Sequence, residues 1–282
     1  MPSSENKKDV LREWRESAPY WATHANIVRT MFAPITSAII EAGAIGEGQI
    51  VLDVAGGAGE PSLTVSSVVG DSGSVFFTDA VIEMITTARS QGRQTKRTNI
   101  EYAQCVAERL PFFGDSFDAV ISRLGVMLFP DPIAAIREAL RVVKSRGSVS
   151  YAVWSGRDSN PFFKVVADAV AVYIESPPED PDAPGAFRFA GRGKLARVLA
   201  ETGFVDVSEL LLNFNISATL TPDQFWSLRV ELSDTLRGKV AQLTSDQLET
   251  VKRGVEAAGR PFFVSGQMNF PAQVLVVTAM KP

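Results

Sequence analysis

A glycine-rich segment followed by an aspartate is the part of this sequence best suited to chemistry. Gly56, Gly57 and Gly59 lie close together and directly follow the apolar run 50–54. Glycine has no Cβ atom, so the backbone of such a loop can approach a ligand closely, and a helix that begins there offers free N–H groups. The loop is suited to a nucleotide phosphate or to an adenosyl-methionine group.

Asp79 lies about 20 residues beyond this loop, the distance at which an acidic residue binds the ribose hydroxyls of a nucleotide cofactor. That aspartate fits a dinucleotide and an adenosyl ligand equally well. A dinucleotide fingerprint, however, requires a third glycine where Ser62 stands, and Pro61 precedes that position. An NAD(P)-dependent oxidoreductase therefore stays open as an alternative that the wider sequence context has to decide.

These residues need a rigid scaffold, and the apolar pattern around them predicts one. Short runs rich in β-branched and aromatic residues alternate with helical patterns between residues 50 and 154. We predict strands at 50–54, 74–78, 100–104, 117–122, 148–154, 204–212 and 273–279. Strands that alternate with helices form a mostly parallel sheet covered on both faces. The predicted fold class is therefore α/β, with a Rossmann-like sheet of seven strands.

The remaining segments are predicted to be additions to this single domain. Residues 9–44 have a helical pattern interrupted at Pro19 and Pro34. The proline-rich stretch 176–185 is predicted to be a loop, and helices are expected from Thr221 to residue 259. We therefore expect an N-terminal helical segment at 1–45, a core at 46–155, cap insertions at 156–189 and 214–271, and segments that complete the sheet at 190–213 and 272–282.

Composition limits the partners and the compartment. The 282 residues carry a formal charge of −4 with scattered Lys and Arg, which disfavours a nucleic-acid partner. Cys105 and His24 are the only residues of their types, so neither an intrachain disulfide nor a Cys/His metal site is expected. Residues 1–9 lack the apolar region of a signal peptide, and no apolar run reaches membrane-spanning length. We expect a cytoplasmic protein without membrane insertion.

Several motifs, taken in order, resemble one enzyme family. Residues 51–59 resemble motif I of class I S-adenosylmethionine-dependent methyltransferases, and residues 75–79 resemble the second strand with its terminal acid. Similar stretches follow at 107–112, 116–120, 128–132 and 141–144. The pattern covers roughly residues 45–155 and is most similar to the ubiquinone/menaquinone-biosynthesis-like small-molecule methyltransferases, the methyltransferase type 11 group.

This resemblance implies a cofactor and the residues that hold it. S-adenosylmethionine would be the methyl donor and S-adenosylhomocysteine the product. Asp53 would orient the methionine ammonium, Asp79 would accept hydrogen bonds from the ribose hydroxyls, and Arg123 would face the methionine tail. The other residues expected along the cofactor are Ala55, Gly56, Gly57, Gly59, Ala80, Met84, Cys105, Val106, Ala107 and Leu124.

The resemblance also implies the reaction and leaves part of it open. The acceptor would be a small, partly apolar molecule methylated on oxygen, carbon or nitrogen. An N-terminal helix closes over the site in this family, which makes Tyr20 and His24 the candidate catalytic residues, with His24 as a possible base. Val106 stands where relatives often carry an aspartate, so adenine would need another partner. A non-catalytic protein that binds S-adenosylmethionine is a further alternative.

Aromatic residues cluster in the predicted insertions, at 162–163, 187, 189, 225–226 and 262–263. Such pairs are usually core residues, and we expect this for most of them. Those on cap helices could instead form the wall of a pocket for a planar apolar acceptor.

Overall fold

A computed structural model describes residues 4–175 and 180–282. Residues 176–179, part of the predicted proline-rich loop, lie outside the described residues. The described chain forms one mixed sheet with helices on both faces. No described helix is long and apolar enough to cross a membrane.

Seven strands form one continuous sheet in the order β3-β2-β1-β4-β5-β8-β6. The pairs among β1 to β5 are parallel, whereas β8 lies antiparallel between β5 and β6. A short strand, β7, pairs with β8 outside this order. The strands are β1 (Ile50–Val54), β2 (Ser74–Asp79), β3 (Ile100–Gln104), β4 (Phe117–Arg123), β5 (Val143–Trp154), β6 (Val205–Ala218), β7 (Phe263–Val264) and β8 (Gln267–Met280). The predicted α/β fold with a mostly parallel sheet is confirmed.

Eleven α-helices connect and cover these strands in the described part of the chain. Three precede β1, four alternate with β1 to β5 or follow β5, and the rest flank β6. They are α1 (Ser4–Thr23), α2 (Ala25–Met31), α3 (Ala33–Ala42), α4 (Ser62–Val69), α5 (Ile82–Gln94), α6 (Pro132–Val142), α7 (Pro161–Ala171), α8 (Lys194–Glu201), α9 (Pro222–Glu231), α10 (Asp234–Val240) and α11 (Ser245–Gly259).

The first helix differs from its prediction. Pro19 lies inside α1 and does not interrupt it; the break comes at His24, between α1 and α2. Proline lacks the N–H group that an interior helical position would use. Ala18, the residue before it, is buried against Val81 and Met84, so packing of α1 on the start of α5 offsets the missing hydrogen bond.

The strands at the far side of the sheet are longer than predicted. β6 and β8 pair from Val205↔Met280 to Ala218↔Met268, which extends both strands beyond the predicted bounds 204–212 and 273–279. Alternate residues such as Ile216, Met268 and Phe270 are fully buried, as expected for strands with one covered face. Pro271 within β8 hid this alternation, because proline in a strand pattern argues against a central strand.

The register of the central strands brings four loops to one edge of the sheet. Val54 pairs with Thr78, Asp53 with Ile121, and Asp79 with Gln104, so β1 to β4 end at similar heights. Ligands of open α/β sheets bind at this carboxyl edge. The fold therefore gathers the glycine loop, Asp79 and the segments after β3 and β4 around one position.

Candidate functional site

A cavity of about 280 Å³ lies at the carboxyl ends of β1 to β4. The loops after these strands form its floor, and α1 and α2 cover it. The lining residues from the covering helices include Leu11, Trp14, Trp21, Asn26, Val28 and Arg29. Those from the loops include Ala55, Gly56, Gly57, Glu60, Asp79, Cys105, Val106, Arg123, Leu124, Leu128 and Phe129.

The glycine loop turns sharply at the cavity floor. Gly57 has a φ of +58°, and a Cβ atom added there would meet no protein atom within 4 Å. At Gly56 an added Cβ would lie 2.3 Å from the ring of Phe77, so only glycine fits against β2. Gly57 thus presents bare backbone to the cavity, while Gly56 keeps the loop close to the sheet.

Two residues that are not glycine also adopt positive φ at the cavity. Ala55 has a φ of +59° and Leu124 a φ of +64°. Side chains rarely adopt this conformation, and it costs about 1–2 kcal/mol per residue. Both residues directly follow strands and line the cavity. Such strain concentrates at ligand-binding positions, where the surrounding structure holds it in place.

Asp79 fastens the glycine loop to the end of β2. One carboxylate oxygen, Oδ2, accepts a hydrogen bond from the Gly57 N–H at 3.0 Å, and Oδ1 accepts one from the Val81 N–H at 2.9 Å. Burial raises the pKa of the Asp79 carboxyl to about 6, because the charged form loses solvation. The carboxylate still lines the cavity, where further donors can reach it.

Charged groups of both signs lie at the other end of the loop. The Asp53 carboxylate is fully buried, and its Oδ2 accepts hydrogen bonds from the Ser62 hydroxyl at 2.6 Å and the Ser62 N–H at 3.2 Å. Burial raises the pKa of Asp53 to about 7. The Arg123 guanidinium donates to the Thr36 hydroxyl at 2.8 Å. Burial lowers its pKa, and the charges of Glu60 and Asp53 oppose that shift.

The covering helices contribute an aromatic face. The rings of Trp14 and Trp21 lie 5.8 Å apart, and both pack near Val81 and Met84 at the start of α5. Among the described residues, the indole N–H of Trp21 is buried without a hydrogen-bond partner. Both tryptophans line the cavity, so its upper wall is apolar with one free donor.

Comparison with known proteins is consistent with this arrangement. Residues 35–174, about half of the chain, match the ubiE/COQ5 methyltransferase family. The matched segment contains the glycine loop, Asp79 and every loop that forms the cavity floor. Residues 35–174 therefore belong to the ubiE/COQ5 methyltransferase family. The resemblance predicted from the motifs is confirmed.

Curated relatives share only part of their length with this chain. An uncharacterized protein of Mycobacterium tuberculosis is 34% identical over 137 residues, which are 48% of each chain. The ubiquinone/menaquinone biosynthesis C-methyltransferase UbiE of Proteus mirabilis is 33% identical over 136 residues, 48% of this chain and 54% of UbiE. The chain therefore spans about half the length of the curated relatives it matches.

Solved structures resemble the fold over a longer stretch. Phosphoethanolamine N-methyltransferase 2 of Haemonchus contortus, in complex with phosphomonomethylethanolamine and S-adenosylhomocysteine, superimposes with a TM-score of 0.57 at 18% identity and covers 95% of this chain and 59% of its own. The YcgJ protein of Bacillus subtilis superimposes with a TM-score of 0.56 at 19% identity and covers 87% of this chain and 97% of its own. The cyclase SpnF superimposes with a TM-score of 0.55 at 16% identity, and the match covers 94% of each chain. These similarities support the fold alone.

The cavity brings together most of the predicted cofactor residues. Asp53 and Gly59 are not among its lining residues: Asp53 lies beneath the loop, and Gly59 faces Leu63 and Ala88 at the α4–α5 contact. The predicted residues that line the cavity are Ala55, Gly56, Gly57, Asp79, Ala80, Met84, Cys105, Val106, Ala107, Arg123 and Leu124.

The two candidate catalytic residues are not among the lining residues. Tyr20 packs under the guanidinium of Arg237, whose Cζ lies 4.7 Å from the ring centroid. His24 Nε2 lies 2.5 Å from Glu231 Oε2 on α9. Both residues therefore face α9 and α10, which carry Glu231 and Arg237, whereas Trp14 and Trp21 face the cavity.

The alternative that aromatic residues of the insertions form a wall of the pocket is wrong for the described residues. Phe162, Phe225 and Phe270 are buried against one another, with ring centroids 4.9 to 5.8 Å apart. None of the predicted aromatic residues lines the cavity. Phe162 and Phe225 are buried core residues, as expected for most of this aromatic set.

Sequence reasoning missed several polar residues of the cavity. Glu60 directly follows the last glycine of the loop, and Arg29 comes from α2. Glu108 lies two residues beyond Val106, and its Oε1 accepts a hydrogen bond from the Asp131 N–H at 3.1 Å. The position of Glu60 next to the loop was a usable signal, whereas Arg29 could be placed only once the packing of α2 was known.

The residues present fit an adenosyl-methionine ligand. Gly57 leaves room for a ligand against the loop, Asp79 can accept from ribose hydroxyls, and the apolar wall beside Met84 and Val106 can hold a flat base. Unpartnered buried oxygens on Asp53 and Glu60 lie near the other end. No group of three metal-ligating side chains converges within residues 4–175 and 180–282.

Proposed function

We propose that this protein transfers the methyl group of S-adenosylmethionine to a small, partly apolar acceptor, on oxygen, carbon or nitrogen. One observation carries the proposal. A single cavity joins the glycine loop and Asp79, which suit the adenosyl group, to an apolar region formed by Phe32, Leu128 and Phe129. Donor and acceptor can therefore lie next to each other in one space.

In this proposal, the cofactor half of the cavity binds and orients the methyl donor. Asp79 holds the ribose, while Ala80, Met84, Cys105, Val106 and Ala107 contact the adenine. Without an acid at Val106, the adenine amino group is left to backbone carbonyls of this segment or to Glu108, whose carboxylate also lines the cavity. Arg123 and Leu124, at the end of β4, face the methionine tail.

The acceptor half positions the nucleophile and excludes water. When bound, S-adenosylmethionine supplies a methyl group that its sulfonium already activates. The protein has to hold the accepting atom in line with that methyl group in a dry space. Trp21, Phe32 and Leu128 are apolar or aromatic walls suited to this task. Where a carbon or oxygen acceptor needs a base, that base would be a polar side chain of the cavity, or His24 after a rearrangement of α2.

Helices α1 and α2 form the lid of this site in our proposal. They supply Leu11, Trp14 and Trp21 to the cavity wall, so a ligand has to pass them to enter. Residues 46–155 would be the cofactor-binding core and the cap segments its support. The single cysteine is consistent with a cytoplasmic protein.

Two alternatives make different predictions. The family match does not favour an NAD(P)-dependent oxidoreductase. A non-catalytic protein that binds S-adenosylmethionine would keep the cofactor half and lose transfer. Because a cyclase shares this fold, the fold alone does not decide the reaction.

The experiment uses S-adenosylmethionine labelled in its methyl group and a panel of phenols, quinones and amines. We expect label in at least one acceptor, and transfer at least about fivefold slower with Asp79→Asn at a donor concentration near the wild-type dissociation constant, because a tenfold weaker site is then about one-tenth occupied. Binding of S-adenosylhomocysteine without transfer to any member of the panel would favour the non-catalytic alternative.

A further inference from the structure

Glu60 presents an unused carboxylate oxygen at the wall of the cavity. Its Oε1 accepts a hydrogen bond from the Thr64 hydroxyl at 3.0 Å. Its Oε2 is buried and has no hydrogen-bond partner among the described residues. A buried carboxylate oxygen without a donor is costly, and burial accordingly raises the pKa of Glu60. The side chain therefore suits a donor that arrives with a ligand.

A second buried carboxylate, that of Asp53, acts on the same part of the loop. Asp53 lies beneath the same loop, fully buried, and its Oδ1 also lacks a partner in the described chain. Arg123 is the cation whose charge opposes the pKa shifts of both acids most strongly from the end of β4. Oε2 of Glu60 and Oδ1 of Asp53 are therefore two acceptor atoms without donors in the described chain.

We infer that Glu60 binds the α-ammonium group at the methionine end of the methyl donor. This inference rests on the proposed function, since it presumes an adenosyl-methionine ligand. An ammonium group supplies a positive charge and three N–H donors, which match the free acceptor atom of a buried carboxylate. Glu60 lines the cavity and Asp53 does not, so Glu60 makes the contact and Asp53 positions the loop through Ser62.

The cations around Glu60 fit the other half of the same amino-acid group. Arg29 lines the cavity from α2, and its charge lowers the pKa of Glu60 from across the space. Its Nη2 donates to the Asn26 side chain at 3.2 Å, which leaves further N–H groups for a carboxylate. A zwitterion placed between Glu60 and Arg29 would meet charges of the correct sign at both ends.

The test compares two ligands that differ in the amino-acid group. S-adenosylhomocysteine carries the ammonium and the carboxylate, whereas 5′-methylthioadenosine carries neither. Both are titrated by calorimetry into the wild-type protein, Glu60→Gln and Glu83→Gln. Glu83 is a matched control, because its Oε2 is also buried without a partner, yet it lies on α5 and does not line the cavity.

We expect Glu60→Gln to weaken S-adenosylhomocysteine about 10- to 100-fold, the effect of losing a hydrogen bond to a charged group. Binding of 5′-methylthioadenosine should stay within about twofold, which also shows that the variant is folded. Glu83→Gln should leave the affinity for both ligands unchanged. Glu60→Asp, which keeps the charge, should lose less affinity for S-adenosylhomocysteine than Glu60→Gln.

Other outcomes separate the two ideas. If the wild type binds neither ligand, the proposed function fails. If the wild type binds both and Glu60→Gln binds S-adenosylhomocysteine equally well, the proposed function stands and the ammonium contact is wrong. Loss of methyl transfer in Glu60→Gln with unchanged affinity would instead assign Glu60 as a base. An equal loss of both ligands would mean that Glu60 supports the cavity as a whole.

Discussion

Asp79 joins the glycine loop to the second strand through both of its carboxylate oxygens. Its hydrogen bonds to the N–H groups of Gly57 and Val81 fix the loop and the start of α5 at once. A ribose would add two hydroxyl donors to the same carboxylate. Because those donors favour the ionised form, ligand binding and the protonation of Asp79 are linked.

This linkage predicts a pH dependence of binding. The pKa of Asp79 is raised to about 6, so its carboxyl takes up a proton as the pH falls through 6. A protonated carboxyl accepts ribose hydrogen bonds less well, and binding then has to release that proton. The dissociation constant for S-adenosylhomocysteine should be flat above pH 7 and rise by up to about tenfold per pH unit below pH 6. Calorimetry between pH 5 and 8 measures it.

Asp79→Asn supplies the control for this prediction. The variant should bind S-adenosylhomocysteine at least about tenfold more weakly at pH 7.5, since charged hydrogen bonds are lost. Its affinity should fall less steeply below pH 6 than that of the wild type. An equally steep fall in Asp79→Asn would point to the other carboxyls, Asp53 with a pKa of about 7 and Glu60, whose pKa is also raised.

Replacing His24 distinguishes a catalytic base from a residue that only holds the start of α2 against α9. Its ring contacts Glu231 on α9 at 2.5 Å and does not line the cavity. We expect His24→Ala to keep methyl transfer within about threefold and to cost at most about 1 kcal/mol of stability, as for a partly exposed ion pair. Transfer abolished with S-adenosylhomocysteine affinity unchanged would instead support the role of base that the sequence suggested.

At the scale of elements, the glycine loop depends on close contact with β2. A Cβ atom at Gly56 would lie 2.3 Å from the Phe77 ring and 2.8 Å from Asp53 Oδ2. Gly56→Ala should therefore lower the free energy of unfolding by about 1–3 kcal/mol, the usual cost of overpacking. Thermal unfolding followed by circular dichroism measures the change.

Gly46→Ala is the matched control for the loop variant. A Cβ atom at Gly46 would meet no protein atom within 4 Å, and its φ is not positive. The same substitution there should leave the unfolding free energy within about 0.5 kcal/mol of wild type. Equal stability of the two variants would contradict the account of the loop.

The sheet could be predicted because its strands are short and bounded by clear signals. The observed strand Ile100–Gln104 has the predicted bounds, and Ile50–Val54 ends where the glycines begin. The antiparallel partners β6 and β8 were predicted too short, because Ile216 is the only fully buried residue of β6 and Pro271 interrupts the strand pattern of β8. Residues that follow strands could be assigned to the site because parallel strands end at one edge.

The covering helices show where the sequence stopped being informative. Helical periodicity places Trp14, Tyr20 and Trp21 on α1 but does not decide which of them faces the cavity. That choice is made by packing of Ala18 on Val81 and Met84, a contact between segments far apart in the chain. Tyr20 and His24 consequently meet the cap helices, and the aromatic face belongs to the tryptophans.

At the scale of the whole molecule, the cavity overlaps the family match, which begins at residue 35, while the lining residues from Val10 to Phe32 precede it. Every described lining residue lies between Val10 and Pro130, whereas the family match ends at residue 174. The segments beyond it complete the sheet and bury Phe225 and Phe270 in the cap. The second half thus supports the site from behind and meets the covering helices through Glu231 and Arg237.

The central claim is that this cavity binds an adenosyl-methionine ligand. Its most direct test is calorimetric titration of the full chain with S-adenosylmethionine, S-adenosylhomocysteine and NADH. The account predicts micromolar binding of the first two, one site per chain, and no binding of NADH. Binding of NADH alone, or of none of the three, would contradict it.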